Sequence, residues 1–143
     1  MKKLFGIIMI AAMFVLAACG GGSSKEKTYV DDVGTVVKVT YKGDTLLHVL
    51  TTATSTLADY GYSSKEEAEE DLKDSIVDLS EEGVEYNVEV KDEEIIMTIN
   101  MDVAKMIEAN PEEVKEALEI DPENPSFKKF EEALLKEGYK EKK

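Results

Sequence analysis

From Val84 to Met101 the sequence alternates almost without a break. Val84, Tyr86, Val88 and Val90 interleave with Glu85, Asn87, Glu89 and Lys91. After Asp92-Glu93-Glu94, Ile95, Met97, Ile99 and Met101 interleave with Ile96, Thr98 and Asn100. Successive side chains of a strand point to opposite faces, so a period of two around an acidic turn predicts a β-hairpin with one buried face. A slip of one residue would turn every apolar side chain to solvent, so the register is strongly specified.

A second hairpin is predicted upstream. Val36 to Tyr41 is β-branched and aromatic, Lys42-Gly43-Asp44 is a turn signal, and Thr45 to Thr56 is again rich in Thr, Val and Leu. Val37, Val39 and Tyr41 fall on one face, with Leu47, Val49, Thr51 and Ala53 as the matching face of the second strand. Between the hairpins, Ser64 and Glu67 have capping-box spacing, and Ala68, Leu72, Ile76 and Leu79 recur at helical period, with Gly83 as a stop. After them come a short helical turn over Val103 to Ala109 and a helix opened by Asn110-Pro111. A last helix is capped by Ser126, with Phe127, Phe130 and Leu134 on one face and Gly138 at its end. The order ββ-α-ββ-α-α has no regular β-α-β alternation. It predicts an α+β domain: a four-stranded, mostly antiparallel sheet with helices packed on one face.

The chain opens differently. Met1-Lys2-Lys3 is a short positive segment, Leu4 to Val15 is uncharged and apolar, and Leu16-Ala17-Ala18-Cys19 follows directly. These are the three parts of a secretory signal. The apolar run to Ala18 is shorter than the roughly 20 residues a spanning helix needs. Leu-Ala-Ala-Cys resembles the bacterial lipobox, in which the thiol takes a diacylglycerol and the peptidase cuts just before it, here between Ala18 and Cys19. The plainer alternative is a secreted protein with one stray thiol. Gly20 to Ser24 and Lys25-Glu26-Lys27 then read as a flexible tether, about 15–20 Å end to end by random-coil scaling. The expected organisation is a signal peptide over 1–18, a lipidated Cys19 with its tether over 19–28, and a single domain over 29–143.

Charge and composition narrow the partners. The 143-residue chain carries 31 acids and 17 lysines and has a net charge of −14; without the two leader lysines it would be −16. So acidic a surface disfavours nucleic acid and anionic headgroups. With one Cys no intramolecular disulfide is possible, and a monomer held together by its core is expected.

The ordered segments are similar to a known family. The lipobox, Thr35 to Thr56 (TVVKVTYKGDTLLHVLTTATST), Tyr62 to Leu72 (YSSKEEAEEDL), Ile95 to Lys105 (IIMTINMDVAK) and Leu134 to Glu141 (LLKEGYKE) resemble the YehR-type lipoproteins. The resemblance implies lipid attachment and a small α+β domain, and it brings no catalytic residues.

Candidate chemistry is sparse. His48, the only histidine, sits in mid-strand without Cys partners for a zinc site, and no Ser lies on a G-x-S-x-G elbow. Asp92-Glu93-Glu94 and Asp121 to Asn124 lack the spacing of a calcium loop. Met97, Met101 and Met106 read as core fillers. Tyr60-Gly61-Tyr62 stands between a strand and a helix, where two aromatics could stack on a sugar or clasp a peptide. The plainer reading has one Tyr packed in the core and the other covering it. No metal and no cofactor are expected. The functional expectation is a lipid-anchored, extracytoplasmic, non-enzymatic binding or protein-interaction module at the cell envelope, with an envelope protein as a possible partner. The alternative is an accessory lipoprotein that binds a small ligand or a cation.

Overall fold

A computed structural model describes residues 23–77 and 81–143. Ala18 and Cys19, with the rest of the expected signal peptide and cleavage site, lie outside the described residues. So does Leu79 of the first expected helix.

The alternating segments form the expected strands. β4 (Val84–Lys91) pairs with β5 (Glu94–Asp102) from Val84↔Met101 to Lys91↔Glu94, and β2 (Val36–Lys42) pairs with β3 (Thr45–Thr56). β5 then pairs antiparallel with β3 from His48↔Asp102 to Thr56↔Glu94, which joins the two hairpins into one sheet.

Among the described residues the sheet has six strands, not four, in the order β4-β5-β3-β2-β1-β6. β1 (Lys25–Val30) adds antiparallel to β2, and β6 (Lys140–Glu141) adds to β1 at Tyr29 and Val30. The residues from Lys25 to Thr28 are therefore strand and not tether. Their charges hide an alternation in which only Tyr29 is fully buried. The expected inner face of β3 also changes. Between Thr40 and Tyr41 the register shifts, so that Leu47 is an extra residue on β3. A bulge of this kind exchanges the faces beyond it. Leu46, not Leu47, therefore shares the buried face with Val49.

The four α-helices among the described residues pack on that face. α2 (Val103–Ala109), α3 (Pro111–Leu118) and α4 (Phe127–Lys136) cover one end, where Val103, Met106, Val114, Leu118, Phe127 and Leu134 bury against Tyr29, Val37, Val39, Leu46 and Val49. α1 (Lys65–Val77) covers the other end, setting Ala68 and Leu72 against Val90 and Ile95. Side chains cap all four described α-helix starts, as the local sequence requires, and at α1 Ser64 Oγ accepts from the Glu67 amide at 3.2 Å while Glu67 Oε2 accepts from the Ser63 amide at 2.9 Å. Asp102 accepts from the Lys105 amide, Asn110 from Glu113 and Ser126 from Lys129. Register puts Val36, Lys38, Leu50, Thr52, Ile96, Thr98 and His48 on the opposite face. Among the described residues no element covers it.

Candidate functional site

The Tyr60-Gly61-Tyr62 segment leaves β3 through a short 3₁₀ turn over Ala58–Tyr60. Thr56 sets that turn: its amide and hydroxyl donate to Asp59 Oδ2 at 2.9 and 2.8 Å, and these two bonds hold the Asp59 carboxyl below its ordinary range. Gly61 adopts a left-handed conformation (φ 78°) that a side chain would disfavour, and the Tyr62 amide returns to Leu57 O at 3.0 Å. The reversal brings the two rings together, 6.4 Å apart and 22° from parallel.

The two tyrosines differ in burial. Tyr62 packs against the cluster of Leu57, Ala68, Val90 and Ile95, and its hydroxyl donates to Asp71 Oδ2 of α1 at 2.7 Å. That bond, with some desolvation, pushes the Tyr62 hydroxyl above its usual pKa. Tyr60 is 49% exposed and reaches Met97 Sδ at 3.5 Å with its hydroxyl. Tyr62 is thus half-buried against the edge of the core, and Tyr60 is exposed beside it. The pair still offers an exposed, stacked aromatic surface fixed at both phenol oxygens.

On the other flank of α1 lies a cleft of about 430 Å³, between that helix and β4. Its apolar walls are Leu72, Val88 and Val90, and its rim carries Lys65, Lys73 and Lys91 with Glu69 and Glu89. Lys65 pairs with Glu69 at 3.6 Å and Lys91 with Glu89 at 3.1 Å. The sequence reading missed this cleft. Its only sequence signal is the helical stripe of Lys65, Glu69, Leu72 and Lys73, which has meaning only once β4 is known to be an edge strand.

The remaining candidates fall apart in space. His48 lies half-buried on the uncovered sheet face, between Thr40 and Asp102. Among the described residues no three His, Cys, Asp or Glu side chains gather as a metal site. Asp121 Oδ1 accepts the Glu123 amide at 3.0 Å, so this acidic loop is held by its own backbone. Met106 is buried, and Met97 and Met101 pack against the core from its edge.

A family profile described as a protein of unknown function (DUF1307) matches residues 25–140. The chain belongs to this family of YehR-type lipoproteins. Lmo0207 of Listeria monocytogenes, an uncharacterised lipoprotein, is 30% identical over 112 residues, covering 74% of this chain and 72% of the relative. Lin0239 of Listeria innocua, also an uncharacterised lipoprotein, is 26% identical over 147 residues, covering 99% and 96%. The NMR structure of the Escherichia coli YehR protein superposes with a TM-score of 0.67 at 18% identity, over 85% of this chain and 93% of YehR. A Streptococcus pneumoniae protein solved by NMR gives 0.55 at 17% identity, over 92% and 93%. At such identities these structures establish a shared fold. As a YehR-type lipoprotein the chain is membrane-anchored. No helix among its described residues is long and apolar enough to cross a membrane.

Proposed function

We propose that this lipoprotein is a non-enzymatic interaction module on the extracytoplasmic side of the membrane, cleaved after Ala18, lipidated on Cys19, and recognising an envelope protein through Tyr60 and Tyr62. The observation that carries the reading is the half-exposed Tyr60 ring, stacked on a Tyr62 that Asp71 fixes at 2.7 Å. A rigid aromatic pair gives large contact area at little entropic cost, since each ring has few torsions to freeze. Two acyl chains on Cys19 provide the double signal that stable anchoring needs.

In-cell photo-crosslinking tests the recognition. A discrete adduct is expected with the native chain. Tyr60→Ala/Tyr62→Ala should lose it, while a distant change such as Lys115→Ala keeps it. An adduct indifferent to both tyrosines defeats the aromatic site. A saturable thermal shift of several degrees with a sugar, an amino acid or a divalent ion would favour a small-ligand lipoprotein instead. Cys19→Ser should abolish labelling by a fatty-acid probe, and a still-acylated variant would overturn the anchor.

A further inference from the structure

The helix-bearing face of the sheet is not evenly covered. α1 lies along β4, where Ala68 and Leu72 share a cluster with Val88 and Val90. α4 lies toward β1 and β2, where Glu131 meets Tyr29 and Phe127 stacks on Tyr41. β5 and β3 run between them. The buried residues accordingly form two separate clusters, one beneath α1 and one beneath α2, α3 and α4. Ala53 of β3, directly opposite Met97 of β5, points to this face and belongs to neither cluster. It is half-buried, as are Thr51, Met97 and Ile99 around it. Among the described residues a shallow gap with an apolar floor therefore lies between α1 and α4.

Its walls are acidic. At 3.6 residues per turn, α1 turns Lys65, Glu69 and Lys73 to the β4 edge, where they line the cleft. Both lysines of α1 are thus on that side. The opposite flank carries Glu67, Asp71, Asp74 and Ser75, all exposed. Ser75 lies close to the sheet side of the helix, and its exposure marks a flank on which no neighbouring helix packs. The Asp71 bond to Tyr62 turns this flank toward the tyrosine pair, and the Tyr60 hydroxyl on Met97 Sδ puts the pair at the head of the gap. On α4, Glu131 marks the side toward β1, so Ala133 and Glu137 face the gap, while Lys129 and Lys136 turn outward.

We infer that this gap receives the apolar face of a basic amphipathic helix from a partner protein. The inference rests on the Tyr60–Tyr62 interaction reading and names the chemistry of the partner. Strands are spaced about 4.8 Å apart and a helix with its side chains is about 10 Å across, so the two strands left between α1 and α4 match one helix. Ala53 leaves room for a bulky side chain, and the flexible Met97 adapts to its shape. Lysines or arginines on the flank of the incoming helix then face Asp71 and Asp74, and one of them can lie over the exposed Tyr60 ring. A second copy of the chain is the poorer occupant, because two molecules of net charge −14 repel.

The test uses the full chain in phosphatidylcholine nanodiscs and a fluorescein-labelled helical peptide with leucines on one face and lysines on the other. Saturable binding above the empty-nanodisc signal is expected. It should weaken at least tenfold for a leucine–glutamate peptide and for a scrambled leucine–lysine peptide of the same composition. Asp74→Lys should weaken it severalfold, whereas Glu69→Lys, the same charge change on the cleft side of α1, should leave it nearly unchanged. Both side chains lie at the helix surface, and circular dichroism would verify that each variant is folded. The Ala53 and Met97 methyl resonances should move on binding, while those of Leu50 on the uncovered face stay in place. No binding, equal binding of the scrambled peptide, equal loss in the two charge variants, or movement confined to Leu50 overturns the inference. If the Tyr60/Tyr62-dependent crosslink persists when the peptide fails to bind, the interaction module stands and only its basic-helix partner falls.

Discussion

The buried Tyr29 hydroxyl donates to Glu131 Oε1, a partner 102 residues away, and the same oxygen takes the Lys27 ammonium at 2.9 Å. Lys27 also lies 5.6 Å over the Phe127 ring, which stacks on Tyr41. Two adjacent inward positions of β1 thus grip α4. Tyr29→Phe should cost about 1.5–3 kcal/mol, the range for a hydrogen bond to a charged acceptor. Glu131→Gln should lose part of the same energy. Denaturant titration of both single variants and the double variant would measure the coupling, and additive effects would show that the pair does not act together.

This cluster shapes both limbs of the pH profile. Burial alone would raise the Glu131 carboxyl, but the Tyr29 hydroxyl and Lys27 ammonium outweigh it and hold it below the usual range. Its contribution is present above the ordinary carboxylate pKa and is lost as pH falls through the lowered folded value. Tyr29 is raised above its ordinary 10.0, by burial first and by Glu131 next. Its contribution is full below that pH and declines as pH rises. Tyr29→Phe should flatten the alkaline decline in stability, read as melting temperature against pH.

Asp44, in the turn between β2 and β3, reaches across the fold to the start of α4. Its Oδ2 accepts from Ser126 Oγ at 2.8 Å and its Oδ1 from the Lys128 amide at 2.9 Å. Those two bonds lower its pKa, so its contribution too is lost as pH falls. Ser126→Ala removes the helix cap and leaves Asp44 Oδ2 without its donor. A loss of about 1–2 kcal/mol is expected, and Asp44→Asn should lessen the acid sensitivity of the melting temperature.

Two glycines with similar backbone should respond differently. Gly61 (φ 78°) has open space where a Cβ would sit, and Gly61→Ala should cost about 1–2 kcal/mol for the left-handed backbone alone. At Gly83 (φ 88°) a Cβ would lie 2.7 Å from the Met106 amide nitrogen and 2.9 Å from Met106 Cγ. Backbone strain and overpacking together put Gly83→Ala at about 2–5 kcal/mol. Equal midpoints in urea for the two variants would contradict the close packing of α2 on this turn.

Neighbouring isoleucines on β5 provide a check on face assignment. Ile95 is fully buried beneath α1, while Ile96 lies on the uncovered face. Ile95→Ala should cost about 2–5 kcal/mol and Ile96→Ala about 1 kcal/mol or less. The reverse order would mean that the uncovered face is covered.

The β4–β5 hairpin was legible because Val84 to Met101 repeats one period with little interruption. The helix starts at Asn110 and Ser126 were legible because a cap is a local bargain between one side chain and the next turn. β1 was not: Lys25 and Lys27 read as solvated tether, yet Lys27 points inward and finds Glu131 and Phe127, partners that only the tertiary fold brings near. Leu46 took the place of Leu47 because a bulge depends on the partner strand. The nearness of Tyr60 and Tyr62 followed from the glycine between them. The α1–β4 cleft could not be read, since it depends on which strand lies at the edge, and strand order is not a local property.

β1 begins at Lys25, close behind Cys19, and runs antiparallel to β2 from Lys25↔Tyr41 to Val30↔Val36. A pull arriving from an anchor at Cys19 would enter the domain along the axis of this strand. The β1–β2 hydrogen bonds would then share the load at once, in shear, rather than opening one after another as when a hairpin is unzipped. With such an anchor, the strand that the composition disguises as tether would also be the one to take mechanical force.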